Sequence, residues 1–390
     1  MRSKIFPIGH LGGAAPPPVC GCLVNGIAEG DPVLAANGVL ARFGLQDLLP
    51  SVVAERVGQG PTAGLSLRLR AGQVAAWAPG FNTLELSRTL GLDTTGRAED
   101  LTREIVVSML MGPVAFVFPS VDEWVSAVRI RINIVQAARK TMLAFHTSEA
   151  ERPQDYWTYD EDRGFATREG VSLIQALEMA TQPDLSGSVY AFSCYRASEY
   201  IILLGIAQEL ARCNPPLYAQ LQALWTRHPI KSGKFHDVFL HEQGSMEAPL
   251  PPGYFVPGDR TWFRNPDEPS ADASGFEGSW VMYLGSGLFN NFWKRDQPYT
   301  LTDKCLEIYH WRHGLYRDAE GDERIDEDEV ARRVVQSRQD ASEVARIVAH
   351  MAHYREPRGV YTVAGGCIDT TREFARCVCP GTADLVLPQA

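Results

Sequence analysis

Cys194 is the residue best placed to do chemistry. It follows a break in the chain at Asp184-Leu185-Ser186-Gly187-Ser188, and the stretch around it, Phe192 to Ala211, is apolar over most of its circumference. That is the pattern of a largely buried central helix. Backbone N–H groups at a helix start have no partner within the helix, and the helix dipole is positive there. Both favour a thiolate, so the sequence predicts a lowered thiol pKa and a nucleophilic sulfur. The competing reading is a small buried hydrophobe, which is how Cys213 and Cys305 are read.

A nucleophilic thiol needs a group nearby that moves protons. His236 and His241 lie between the central helix and Pro257, where either could swing in, though such histidines are more often surface loop residues. His310 and His313 fall in Tyr309-His310-Trp311-Arg312-His313. With Leu306 to Trp311 as a strand, their odd spacing puts them on opposite faces, a structural role. Cys20-x-Cys22 and Cys377-x-Cys379 have one intervening residue each, whereas zinc sites usually have at least two, so they read as separate thiols. Eight cysteines in 390 residues are too thinly spread for a disulfide scaffold.

The elements that would position Cys194 begin at about residue 111. Val121 to Phe145 carries apolar residues at steps of three and four and reads as one long helix. Ser120 is its candidate N-cap, with Glu123 three residues on. Asp155 to Arg168 reads as a loop or hairpin and Ser172 to Ala180 as a short helix. Trp262-Phe263 and Trp280 to Leu284 read as strands, with a turn at Gly285-Ser286-Gly287 and a return strand, Leu288 to Trp293. Glu329 to His353 reads as an amphipathic helix. Upstream, residues 1–30 form a Gly/Ala/Pro-rich arm, Gly58-Gln59-Gly60-Pro61 signals a turn, and Leu65 to Arg70 alternates as a half-buried strand does.

Composition excludes some classes of function. The chain is 45% hydrophobic and 22% charged, an ordinary globular balance. Its net charge of −10 repels phosphate backbones, which argues against a nucleic-acid partner. The longest apolar run in the core, Tyr200 to Ala207, is far short of the ~20 residues that span a bilayer. Arg2 and Lys4 precede a Pro- and Gly-broken segment and not a continuous apolar one. The expectation is a soluble, cytoplasmic protein with no membrane partner.

Five motifs in order resemble the small, calcium-independent transglutaminases of spore-forming bacteria. Arg131-Ile132-Asn133-Ile134 is similar to the family's long-helix motif. Tyr156-Trp157-Thr158 with Gly164-Phe165 is similar to its next loop, and Tyr190-Ala191-Phe192-Ser193-Cys194 to its nucleophile segment. Pro257-Gly258-Asp259 with Phe263-Arg264-Asn265-Pro266-Asp267 resembles one strand, and Glu277-Gly278 with Tyr283-Leu284-Gly285 the strand after it. The match covers roughly residues 115–315.

The resemblance implies an α+β fold: a papain-like, transglutaminase-like core whose central buried helix packs on an antiparallel sheet. Residues 111–317 would be that core, 1–110 an N-terminal extension and 318–390 a C-terminal helix with a cysteine-containing tail. It implies Cys194 as nucleophile toward a protein glutamine, a thioester, and an isopeptide bond to lysine or deamidation by water. It implies protein substrates and no metal or other cofactor. Terminal arms of this kind can also tie copies of the chain into a homo-oligomer.

The departures from the family pattern fall on the proton carriers. Ser193 and Ser279 stand where the family has Glu, and Phe292 or, with a gap, Asn291 stands where it has His. Glu277 is the candidate replacement carboxylate. An active acyltransferase using Cys194 and Glu277 is therefore weighed against a pseudoenzyme kept for binding or assembly. A cysteine hydrolase of papain-like layout is a third reading.

Overall fold

The computed structural model describes residues 18–27, 30–58, 63–146, 150–356 and 365–388. Residues 1–17 of the Gly/Ala/Pro-rich arm and Gln59 to Pro61 of the expected turn lie outside them. The chain is α+β. The long helix, Val121–Lys140, and the central helix, Cys194–Cys213, pack side by side in the main hydrophobic core. Gly205 sets their separation: a Cβ there would lie 2.7 Å from Ile134 Cγ1 and 3.2 Å from the Ile130 carbonyl. The close approach lets Asn133 Nδ2 donate to the Gly205 carbonyl at 3.3 Å.

Two main sheets flank this pair. The first has the order Val52–Val57, Gly64–Leu69, Cys22–Asn25, Phe116–Phe118, with only the last pairing parallel. The second runs Leu288–Phe289, Gly278–Gly285, Arg260–Arg264, Arg372–Ala375, Leu240–Gln243, all antiparallel. A strand from the last twenty residues of the chain is thus interior to the sheet. The central helix lies against Gly278–Gly285, the strand that faces its first turn.

Several elements follow the sequence reading and four depart from it. Ser120 Oγ accepts the Glu123 N–H at 3.2 Å and starts the long helix as expected. That helix stops at Lys140, because Thr141 turns extended and Ala144–Phe145 pairs in parallel with Ala191–Phe192. Leu306 to Trp311 is not a strand but part of a helix, Leu301–Gly314, nucleated by a capping box in which Thr300 and Asp303 cap each other's backbone. His310 and His313 therefore share one helix face, with their Nδ1 atoms 2.9 Å apart. The expected helix from Glu329 to His353 is two, Glu327–Ser337 and Ala341–Met351, divided where Asp340 caps the second. Only Leu288–Phe289 of the expected return strand pairs.

Candidate active site

Cys194 is the first residue of the central helix, and Ser193 is its N-cap, accepting the Arg196 N–H at 3.3 Å. Cys194 itself is half-buried. Burial raises the thiol pKa and is the largest influence on it. Opposing it are N–H groups of Trp280 and Tyr195 that hydrogen-bond the sulfur, and the charge of Lys304; the charge of Glu277 adds to the rise. The net direction is upward, against the sequence expectation. The helix start is as anticipated, but a sulfur packed beneath a strand loses more from desolvation than the helix end returns.

The strand above the sulfur is held in register by rings. Trp262 and Trp280 face each other across the pair and stack at 5.8 Å. Tyr195 meets Trp280 edge-on at 5.3 Å. Gly278 is required there, because a Cβ would fall 2.2 Å from Trp262 Nε1. Asn265 is fully buried and ties the connecting loop, donating to Ser270 Oγ and the Phe276 carbonyl, each at 3.0 Å. Deeper in, Arg131 of the long helix pairs with Asp259 at 2.7 Å, both almost fully buried. Gly258 has a φ of +89°, and a Cβ there would come within 2.9 Å of Arg131 Cα. The motif residues Arg131, Gly258 and Asp259 are thus parts of one joint.

The positions where the resemblance implies imidazole, and the one before the thiol where it implies carboxylate, have structural duties. Ser193 caps the helix. Phe292 is core, and Asn291 staples a turn, accepting from the Trp293 and Lys294 N–H groups at 3.1 Å. Glu277 is exposed at the start of the strand, and its charge reaches Cys194. His236 and His241 are not loop residues: they lie on the helix Ser232–Phe239 and the strand Leu240–Gln243. His236 pairs with Glu373 and His241 with Asp384, each at 2.6 Å. His310 Nε2 meets Ser337 Oγ at 2.9 Å. Cys22 packs in the first sheet, whereas Cys379 Sγ bonds Ser126 Oγ at 3.2 Å.

Residues 84–385 match the profile of the family described as protein-glutamine gamma-glutamyltransferase. The chain belongs to that family. A protein-glutamine gamma-glutamyltransferase of Halalkalibacterium halodurans is 25% identical over 206 residues, covering 52% of this chain and 67% of the other. A solved transglutaminase from Geobacillus stearothermophilus, without its C-terminal extension, is 20% identical. It covers 55% of this chain and 98% of that one, with a TM-score of 0.38. Membership in this acyltransferase family brings protein substrates with it.

One residue whose charge acts on this transglutaminase-family thiol is not legible in the sequence. Lys304, on the helix Leu301–Gly314, is 3% exposed, and its ammonium reaches Ser279. A single lysine two residues ahead of a segment read as a strand gives no sign of burial. The available signal was Thr300-Leu301-Thr302-Asp303, a capping-box pattern that marks a helix start.

Proposed function

We propose that this chain transfers the acyl group of protein glutamine residues through Cys194. The observation that carries the reading is a thiol at the first position of a buried helix, beneath a strand whose Trp280 ring meets Tyr195 at 5.3 Å. The thiolate attacks the γ-carboxamide carbon, ammonia leaves, and a thioester forms. A lysine ε-amine then takes the acyl group as an isopeptide, or water takes it as glutamate. Glu277, exposed at the start of the strand with its charge felt at the thiol, draws the cationic lysine side chain toward the thioester. Residues 111–317 carry this chemistry, and we place the protein in the cytoplasm.

Incubation with a glutamine-rich protein and a fluorescent primary amine, beside Cys194→Ala, tests the reading. Amine incorporation lost in the variant supports it, and ammonia release without incorporation identifies deamidation. The second reading, a pseudoenzyme that binds protein partners, is favoured by Ser193, Asn291 and Phe292, each committed to capping or packing. It requires that the wild-type protein incorporate no amine and release no ammonia.

A further inference from the structure

The carboxylate that the transglutaminase family keeps at the position of Ser279 is missing, yet the space beside it holds a charge of opposite sign. Lys304 Nζ donates to Ser279 Oγ at 3.1 Å and to Glu307 Oε2 at 2.7 Å. It also lies 3.7 Å from the centre of the Tyr299 ring, whose hydroxyl donates to Glu307 Oε1 at 3.0 Å. Ser279 and Trp280 share a peptide bond, and the N–H of that peptide and the charge of Lys304 both pull the Cys194 pKa down. The Trp280 ring meets that of Tyr195, the neighbour of Cys194, at 5.3 Å, so serine hydroxyl and ammonium lie on the strand that covers the start of the central helix.

A lysine needed only as a helix ion pair would be served by Glu307 at the surface. Burying an ammonium is costly unless it is paired and hydrogen-bonded. Here the pairing is extended to a hydroxyl on the strand that covers the nucleophile's helix start. The charged and titratable groups around this chain of contacts are few. Glu307 and Asp303 come from the same helix as Lys304, Glu277 from the start of the strand, Tyr299 from the preceding loop, and Glu327 from the next helix.

We propose that Lys304 and Ser279 together replace the missing carboxylate, the ammonium steadying the Cys194 thiolate and Ser279 passing its proton to the departing ammonia. The inference rests on the acyl-transfer reading. In the first half-reaction the C–S bond forms and the carbonyl π pair moves to oxygen. As that pair returns, the C–N bond breaks. Ser279 gives its proton to the nitrogen and takes one from Lys304, so ammonia departs and Lys304 is left neutral. In the second half-reaction a neutral amine attacks the thioester carbon. Its proton passes through Ser279 to Lys304, and the C–S bond breaks to regenerate thiolate beside ammonium. Lys304 acts through Ser279 and is a positioning residue.

The experiment uses the full chain and two measurements: amine incorporation, and the pH dependence of Cys194 alkylation by iodoacetamide. Lys304→Met should lower incorporation by about 10²-fold or more, the usual worth of a positioned acid. It should also move the alkylation midpoint upward by about one pH unit, which is tenfold in thiolate. Lys304→Arg should restore the midpoint, since it keeps the charge, but not incorporation, since a guanidinium does not give up its proton. Ser279→Ala should lower incorporation with the midpoint unmoved, and it serves if Lys304→Met fails to fold. Lys304→Met or Ser279→Ala as active as wild type, while Cys194→Ala is dead, would overturn the inference and leave acyl transfer standing. Full rescue of incorporation by Lys304→Arg would also overturn it. A wild-type protein inert to amines overturns both.

Discussion

Lys304 and Cys305 are neighbours in sequence, but they belong to two different thiol environments. Lys304 reaches Ser279, and its charge pulls the Cys194 pKa down. Cys305 turns the other way and meets Cys367, sulfur to sulfur at 4.0 Å, in the second hydrophobic core. Burial raises the pKa of both Cys194 and Cys305. At Cys194 the next three influences, two N–H groups and a lysine, oppose the rise. At Cys305 the foremost influence is the Cys367 thiol, and Asp303 adds to the rise. Burial alone does not separate the proposed nucleophile from a packing thiol; the sign of what surrounds the sulfur does.

Four measurements can break or sharpen that contrast. The largest expected effect is kinetic. At pH 8 iodoacetamide should modify Cys194 at least about 10⁴-fold faster than Cys305, which reacts only from chains that have opened against a stability of several kcal/mol. Comparable rates, read by peptide mass spectrometry, would erase the distinction.

Next comes the joint behind the strand. Asp259→Ala leaves the Arg131 charge buried without its partner and should cost about 3–5 kcal/mol in urea unfolding. The protection of Cys305 should fall with it, because global opening becomes easier.

A smaller effect separates the thiols by pH. Cys305→Ala should cost about 1–2 kcal/mol near neutrality. The folded Cys305 pKa lies well above that of the unfolded chain. Its share of stability is therefore complete below the unfolded thiol value, ~8.5, and is lost as pH rises toward the folded one. The melting-temperature gap between wild type and Cys305→Ala should narrow above pH 9. A gap that widens contradicts the packing role.

The smallest effect concerns the strand next to Cys367. Glu373 raises the pKa of His236. That contribution is whole below the ordinary histidine value of ~6.5 and fades as pH climbs through the raised one. His236→Gln should cost under about 1 kcal/mol at pH 6, since the pair is partly exposed, and nothing measurable at pH 9. Equal melting shifts at both pH values would remove the ion pair from the account.

The sequence carried the helix start at Cys194, because a break followed by an apolar stretch is a local signal. Ser120, Trp262 and Trp280 were legible for the same reason. Leu306 to Trp311 misled, since a run of branched and aromatic residues fits strand and buried helix alike. Lys304 was invisible because its partner Ser279 lies 25 residues earlier and meets it only through the fold. Arg372–Ala375 was missed as well: four residues, two of them charged, carry no strand period. The upward thiol pKa was beyond reach, since desolvation depends on what packs above the sulfur.

Arg260 and Glu373 are 113 residues apart in sequence yet ion-paired on adjoining strands. Synthesis is vectorial, at ~5–20 residues per second, so the later strand emerges roughly six to twenty-two seconds after the earlier one. During that interval Leu240–Gln243 has no neighbour on which to zip, and the sheet remains in two pieces. The sulfur-bearing helix leaves the ribosome well before the platform beside it can close, which ties maturation of the thiol to the arrival of Arg372–Ala375.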